Sequence, residues 1–245
     1  MQRIPRSLCA AFAAATLFAL AAAPALAADP AKTELPARPS ATLSTTAKIM
    51  IATNVFRQPG KHIKLQLPTH ASWGGGPQVL LVLDSRMYKG KAWLRVALPD
   101  RPNGSSGWIR EDFVRLSTTR WRITINREAH VVTVYRDGRK QRSFQAVIGK
   151  PATPTPRGLY AIYEKLAQAE PKGFLGPWAL HITAFSDVLF NYGGGPGRVA
   201  IHGRDGTSLA DPLGSSASHG CVRVDDVNII WMARVIPLGT PVLIT

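Results

Sequence analysis

Cys221 stands in the run Ser218-His219-Gly220-Cys221-Val222-Arg223, with a histidine two residues before it and an arginine two residues after it. A further histidine, His202, lies upstream. A thiol with an ordinary pKa near ~8.5 is mostly protonated at neutral pH, so it needs a base or a positive neighbour to become a nucleophile. His202, His219 and Arg223 are those residue types, and together they point to covalent catalysis through sulfur. The competing reading is a buried cysteine acting as a small apolar group. The polar Ser-His-Gly lead-in and the following arginine weigh against it.

The N-terminus bears on that thiol. Arg3 and Arg6 precede an apolar, acid-free stretch over 8–23, then Pro24 and the small-residue site Ala25-Leu26-Ala27. This is the pattern of a secretory signal peptide over 1–27, cleaved after Ala27. An uncleaved anchor is the alternative, but the stretch is short against the roughly 20 apolar residues of a span. Cleavage removes Cys9 and leaves Cys221 without an intramolecular disulfide partner. Outside the cytoplasm an odd cysteine is a reactive thiol or an intermolecular link. The expected location is therefore the cell wall, the periplasm or the medium.

Lys and Arg number 30 against 15 Asp and Glu, a net charge of +15 that falls to +13 when Arg3 and Arg6 are removed. Such a surplus suits anionic surroundings, namely wall polymers, acidic lipid or nucleic acid. No nucleic-acid motif is present and the export signal argues against that partner. Much of the charge is scattered, as on a solvated surface, and no obligate protein partner is indicated.

The positioning elements follow from turn signals and alternation. Residues 28–47 are Pro, Ala, Ser and Thr with little apolar content, a flexible linker. Residues 48–117 alternate short apolar runs (79–83, 93–98) with turn-rich pieces (57–60, 74–77, 102–104), which predicts a small barrel or sandwich. The segment 93–114 resembles the end of a bacterial SH3-like domain. Trp73, Trp93 and Trp108 could line a groove there, with core packing expected for at least two. From 120 to 245 a second domain is expected, with strands at 122–126, 129–135, 142–148, 158–163, 180–183, 199–201 and 242–244. Asp137-Gly138 suits a type I′ hairpin turn. The spacing of Val227, Ile230, Trp231 and Val235, capped by Asp225 or Asp226, predicts one helix ending before Pro237. An irregular loop is expected over 164–180. The fold class is mainly β: a small SH3-like barrel, then a β-rich catalytic domain with few short helices.

All six histidines precede Cys221, whereas papain-like peptidases place the catalytic histidine after the cysteine. His62 and His70 fall in the first domain as surface residues, and His130 reads as structural. His202 ends a predicted strand and is the candidate base. A zinc site from His202, His219 and Cys221 lacks a fourth ligand. A sortase-like enzyme expects a downstream arginine and lacks the Ser-His-Gly lead-in. A non-catalytic wall-binding protein leaves His202 and Cys221 unexplained.

Ile201-His202-Gly203, followed after a spacer by Ser218-His219-Gly220-Cys221-Val222-Arg223, closely resembles the signature of the L,D-transpeptidases (YkuD-type catalytic domain). The resemblance runs over about 122–244. It takes in Val147-Ile148-Gly149-Lys150, Thr155-Pro156-Arg157-Gly158, Gly176-Pro177-Trp178-Ala179-Leu180-His181 and Leu238-Gly239-Thr240-Pro241-Val242. Arg157 departs from the usual Thr, and Gly203 replaces the Ser of some relatives, so an orienting contact there must come from its backbone. The resemblance implies that Cys221 is acylated by a peptidoglycan stem tetrapeptide, with D-Ala released and the acyl group passed to an acceptor amine in a 3→3 cross-link. It implies His202 as proton donor and acceptor, and backbone N–H groups of Gly220 and Cys221 as the oxyanion hole. Arg223 would clamp a stem carboxylate, or else pair with Asp225 or Asp226. His219, Ser218, Gly203, Trp178 and His181 complete the substrate-binding set. Neither cofactor nor metal is implied. Water as acceptor would make an L,D-carboxypeptidase, and a free amino acid an exchange enzyme.

Overall fold

The computed structural model describes Met1 and residues 35–245. The expected signal peptide, Cys9 and linker residues 28–34 lie outside the described residues. Leu35–Thr245 form one compact unit, which is mainly β. No helix in the described residues is long and apolar enough to cross a membrane.

The N-terminal half contains β1 (Ser44–Ile49), β2 (Thr53–Gln58), β3 (Lys61–Leu67), β4 (Val79–Tyr88), β5 (Lys91–Ala97), β6 (Ser106–Arg110) and β7 (Val114–Thr119). They form one sheet in the order β3-β2-β6-β5-β4-β1-β7. Strand β1 begins inside the segment expected as linker. Its Ser/Thr-rich start hides a strand hydrogen-bonded on both sides, to β4 and to β7, with Ala47 and Ile49 turned into the core. Trp93 and Trp108 are buried at 6% and 8% exposure, whereas Trp73 is 47% exposed.

The second half contains β8 (Trp121–Asn126), β9 (Val131–Arg136), β10 (Arg139–Gln145), β11 (Ile148–Gly149), β12 (Gly158–Ala167), β13 (Trp178–Phe185), β14 (Arg198–His202), β15 (Ser216–Ser218), β16 (Val222–Arg223), α1 (Asp226–Val235) and β17 (Pro241–Ile244). Eight of these strands form a sheet ordered β10-β9-β8-β17-β12-β13-β14-β16, and β11 pairs with β15. Asp137 and Gly138 both have positive φ, 52° and 73°, the geometry of the expected hairpin turn. His130 sits in the turn before β9 rather than in the strand. Strands β12 and β13 pair out to Ala167 and Trp178, so the expected irregular loop shrinks to 168–177.

Helix α1 lies where the sequence predicts, but its buried face is different. Ile229, Met232 and Ala233 are buried, with Ile236 just beyond them, while Val227 is 67% exposed. The spacing of 229, 232, 233 and 236 is an equally good helical stripe. It is the one that meets Leu180, Ile182, Ile201 and Val222 of the sheet. Trp231 and Val235 pack only partly against that core.

Strand β12 also serves the first half. Alternation along the strand places Tyr160 and Ile162 in the core beneath α1, while Tyr163 enters the core of the N-terminal sheet. The Tyr163 hydroxyl donates to Gln78 Oε1 at 3.1 Å. Ala161 packs with Leu81 and Ala97 across the same seam.

Candidate active site

Strand alternation brings the chemistry together. Residues Leu180, Ile182, Val199, Ile201, Val222 and Val224 all point into the core with α1. Successive side chains of a strand face opposite ways, so His181, Ala200, His202, Cys221 and Arg223 share the other face. Strands β14 and β16 run parallel with Ile201 opposite Val222 and His202 opposite Arg223. Cys221, one residue before β16, therefore lies beside Ala200 and diagonal to His202. Continuing across the sheet, His181 is opposite Ala200 and Glu164 is opposite His181.

His202 and Cys221 line one cavity together with His219 and Arg223. Its apolar wall includes Phe174, Leu175, Leu189 and Tyr192. His202 is 1% exposed. Its Nδ1 lies 2.7 Å from the Gly203 carbonyl, which can only accept, so Nδ1 carries the proton. That is the backbone contact the glycine at 203 required, and it makes Nε2 the basic nitrogen. Burial pushes the imidazole pKa down to about 4, against a smaller upward pull from the Gly203 carbonyl, with the Arg223 charge adding to the fall. Burial likewise raises the Cys221 thiol, partly offset by a hydrogen bond from the Ala200 backbone and by Arg223. The resting pair is accordingly neutral thiol and neutral imidazole at physiological pH.

The turn that carries Cys221 is pinned from outside. Gly220 has φ +115°, which a side chain rarely tolerates. Ser218 Oγ donates to the Cys221 carbonyl at 2.6 Å and accepts from Gly220 N–H at 3.1 Å. The Gly220 N–H thus has a partner in Ser218 Oγ. Thr155, fully buried, donates through Oγ1 to the Gly220 carbonyl and accepts from Gly149 N–H, both at 2.9 Å. Thr153 Oγ1 donates to the Ser218 carbonyl at 3.2 Å. Thr155→Val keeps the shape and strands two buried backbone groups, so it should cost about 2 kcal/mol in urea unfolding. An unchanged midpoint and slope would show that the threonine does not hold the turn.

Arg223 is 3% exposed and pairs with Asp211, neither of the expected Asp225 and Asp226. Asp226 instead accepts from Arg204 N–H at 2.9 Å, and Asp225 stands exposed at the start of α1 without a side-chain capping hydrogen bond. The Arg223 guanidinium also sits over the Phe174 ring at 4.6 Å. His219 stacks on Tyr192, ring centres 5.2 Å apart. Trp178 packs against the α1 core and Ser218 is buried beneath the turn. His181 is covered by Trp73, ring centres 5.6 Å apart, and its pKa is pushed down to about 4, first by burial and then by Arg198. Among the described residues no three His, Cys, Asp or Glu side chains converge as metal ligands.

Several participants escape sequence reasoning. Arg198 and Glu164 form an ion pair at 2.6 Å with side chains 5% and 3% exposed, and Arg198 lines the cavity. Thr155 falls in the motif Thr155-Pro156-Arg157-Gly158, but its contact with Gly220 has no signal in the sequence. Tyr192 and Leu189 have none either.

The two depressed histidines set an acid limit on the fold. Each binds a proton more readily unfolded, near ~6.5, than folded, near 4. Their contribution is complete above ~6.5 and is lost as pH falls from there toward 4. For His202 alone the loss is on the order of 3 kcal/mol. Thermal melts at pH 7.5 and pH 4 should show that drop, and a melting temperature that is flat across the window would contradict it.

The family model for the YkuD L,D-transpeptidase catalytic domain matches residues 120–244. The chain therefore belongs to the L,D-transpeptidase catalytic-domain family. It is similar to a Bacillus licheniformis protein assigned by name to the L,D-transpeptidases as YkuD, 28% identical over 128 residues, covering 52% of this chain and 67% of that protein. A Bacillus subtilis protein assigned likewise, YqjB, is 26% identical over 125 residues, covering 50% and 70%. Among solved structures, Bd1075 of Bdellovibrio bacteriovorus is 26% identical with a TM-score of 0.40, covering 52% of this chain and 48% of that one. The Ldtfm–avibactam carbamoyl enzyme is 25% identical with a TM-score of 0.40, covering 51% and 48%. The chain thus spans about half the length of these two solved proteins.

Proposed function

We propose that the protein is an exported, cysteine-dependent peptidoglycan L,D-transpeptidase. The observation that carries this reading is the register of β14 and β16, which sets His202 and Cys221 on one face at the wall of one cavity. The signal-like pattern over 1–27 and the basic surface suit a protein working in an anionic cell wall.

In this reading Cys221 Sγ attacks the carbonyl between the third stem residue and the terminal D-Ala. A thiol raised by burial is not a resting thiolate, so its proton passes to His202 Nε2 as attack proceeds. The Cys221 N–H is the proposed donor to the developing oxyanion, in a turn shaped by Gly220. His202 then returns the proton to the leaving D-Ala amine. An acceptor amine on another stem then attacks the thioester; its proton goes to His202, the C–S bond breaks, and His202 returns the proton to Cys221 Sγ. Arg223, already paired with Asp211, acts as a fixed charge that favours the thiolate as it forms. The apolar wall of Phe174, Leu175, Leu189 and Tyr192 would hold the aliphatic part of the stem.

The test is mass spectrometry of products from a defined disaccharide-tetrapeptide. A cross-linked dimer lacking one D-Ala supports the proposal. A tripeptide alone would make water the acceptor, and an intact tetrapeptide would sink the reading.

A further inference from the structure

The 185–197 loop forms one wall of the cavity through Ser186, Leu189, Tyr192 and Gly197. It is glycine-rich, with Gly193, Gly194, Gly195 and Gly197, and it exposes Phe190 and Tyr192. Such a segment has much conformational freedom to lose when substrate arrives. Its fastening comes from the N-terminal half of the chain.

Arg101 reaches the loop with three hydrogen bonds to carbonyls: Nη1 to Ser186 at 2.7 Å, and Nη2 to Leu189 at 3.2 Å and to Pro196 at 2.9 Å. Its guanidinium also lies 5.0 Å from the Phe185 ring centre and 4.4 Å from that of Phe190. Asn103 donates to the Phe185 carbonyl and to Asp187 Oδ1, both at 2.7 Å, and accepts from Phe185 N–H at 2.8 Å. At the far end the Trp73 ring closes on Gly195, where an added Cβ would come within 2.5 Å. Trp73 is itself held, since its N–H and that of Gly74 donate to Glu164 Oε1 at 3.0 and 2.9 Å. The same carboxylate binds Arg198, whose guanidinium stacks 4.7 Å from the Trp73 ring centre.

We propose that the N-terminal module is a working part of the active site, in which Arg101, Asn103 and Trp73 are positioning residues that hold the 185–197 loop in its substrate-binding shape. Three carbonyls from both ends of one loop converge on a single guanidinium, a task for five fixed donors that an ammonium cannot match. The result is preorganisation: the wall that presents Tyr192 to His219 is set before substrate binds. The reaction assigned to this loop rests on the transpeptidase reading above.

The experiment uses the mature chain and two variants, Arg101→Lys and Asn103→Asp. The lysine keeps charge and bulk but cannot reach all three carbonyls. The aspartate keeps shape, loses the donors and faces Asp187. Three quantities are read: kcat/KM for D-Ala release from the tetrapeptide donor, the rate of Cys221 alkylation by iodoacetamide, and hydrogen exchange over 185–197. We expect kcat/KM to fall about ten- to a hundredfold, mainly through KM. Alkylation by the small reagent should be unchanged, and exchange should quicken in 185–197 but not in the N-terminal sheet. Wild-type kcat/KM in both variants would overturn the proposal. So would slowed alkylation with exchange quickened throughout, because the variants would then be disturbing the whole fold. Should the wild-type protein release no D-Ala, the transpeptidase reading fails and the clamp is judged by exchange alone. Faster exchange in 185–197 then supports it, and equal exchange overturns it.

Discussion

Replacing Cys221 with alanine should abolish D-Ala release from a tetrapeptide donor while leaving the fold and its thermal melt intact. Cys221 is half-buried, makes no disulfide, and its turn is held by Ser218, Thr153 and Thr155 rather than by its own side chain. Removing the sulfur therefore takes away the acylated atom and little packing. Loss of a nucleophile in a covalent mechanism is not compensated by its base, and only the residual acceleration from binding and oxyanion stabilisation, about 10³–10⁴ over solution, should remain. Release measured by a D-Ala-specific assay would decide the matter. Turnover by Cys221→Ala at the wild-type rate would remove the thiol from the mechanism.

His202→Gln should lower acylation about a thousandfold at pH 7.5, the range general-base catalysis supplies. The structure argues for a base rather than a standing ion pair. Burial moves the imidazole down and the thiol up, so both shifts oppose transfer of the proton at rest. A corollary follows for wild-type protein. Alkylation of Cys221 should keep rising with pH beyond ~8.5, the ordinary thiol value. A plateau in the alkylation rate below pH 7 would reveal a preformed thiolate, and His202 would then have a different role.

The pair of Cys221 and His202 was legible in the sequence because its signal is local. One lies in a short polar run with an unpaired thiol, and the other ends an apolar strand beside a glycine. The hairpin at Asp137-Gly138 was legible for the same reason, since its chemistry sits in two adjacent residues. The sequence predicts the position of α1 but not its buried face, because Val227-Ile230-Trp231 and Ile229-Met232-Ala233 are both apolar stripes. Only the sheet beneath decides between them. Strand β1 was concealed by Ser and Thr, whose strand here is stabilised by pairing on both edges.

What the sequence could not show depends on long-range contact. Asp211 displaces Asp225 and Asp226 as the partner of Arg223 through the path of a loop. Thr155 meets Gly220 across 65 residues, and Arg101 meets Ser186, Leu189 and Pro196 across 85, 88 and 95. Trp73 read as a groove or core residue of its own domain, yet it packs on Gly195 and His181 of the other. None of these has a local periodicity to reveal it, since each is a polar or aromatic side chain in a turn.

In the proposed mechanism Cys221 carries the acyl group. Intact-mass spectrometry of the protein quenched in acid during turnover of the tetrapeptide donor tests it most directly. Acylation of the thiol predicts a species heavier by the donor minus D-Ala, with the added mass on the peptide containing Cys221 and absent after treatment with hydroxylamine. D-Ala release with Cys221 unmodified at every time point, or the adduct on another residue, would contradict it.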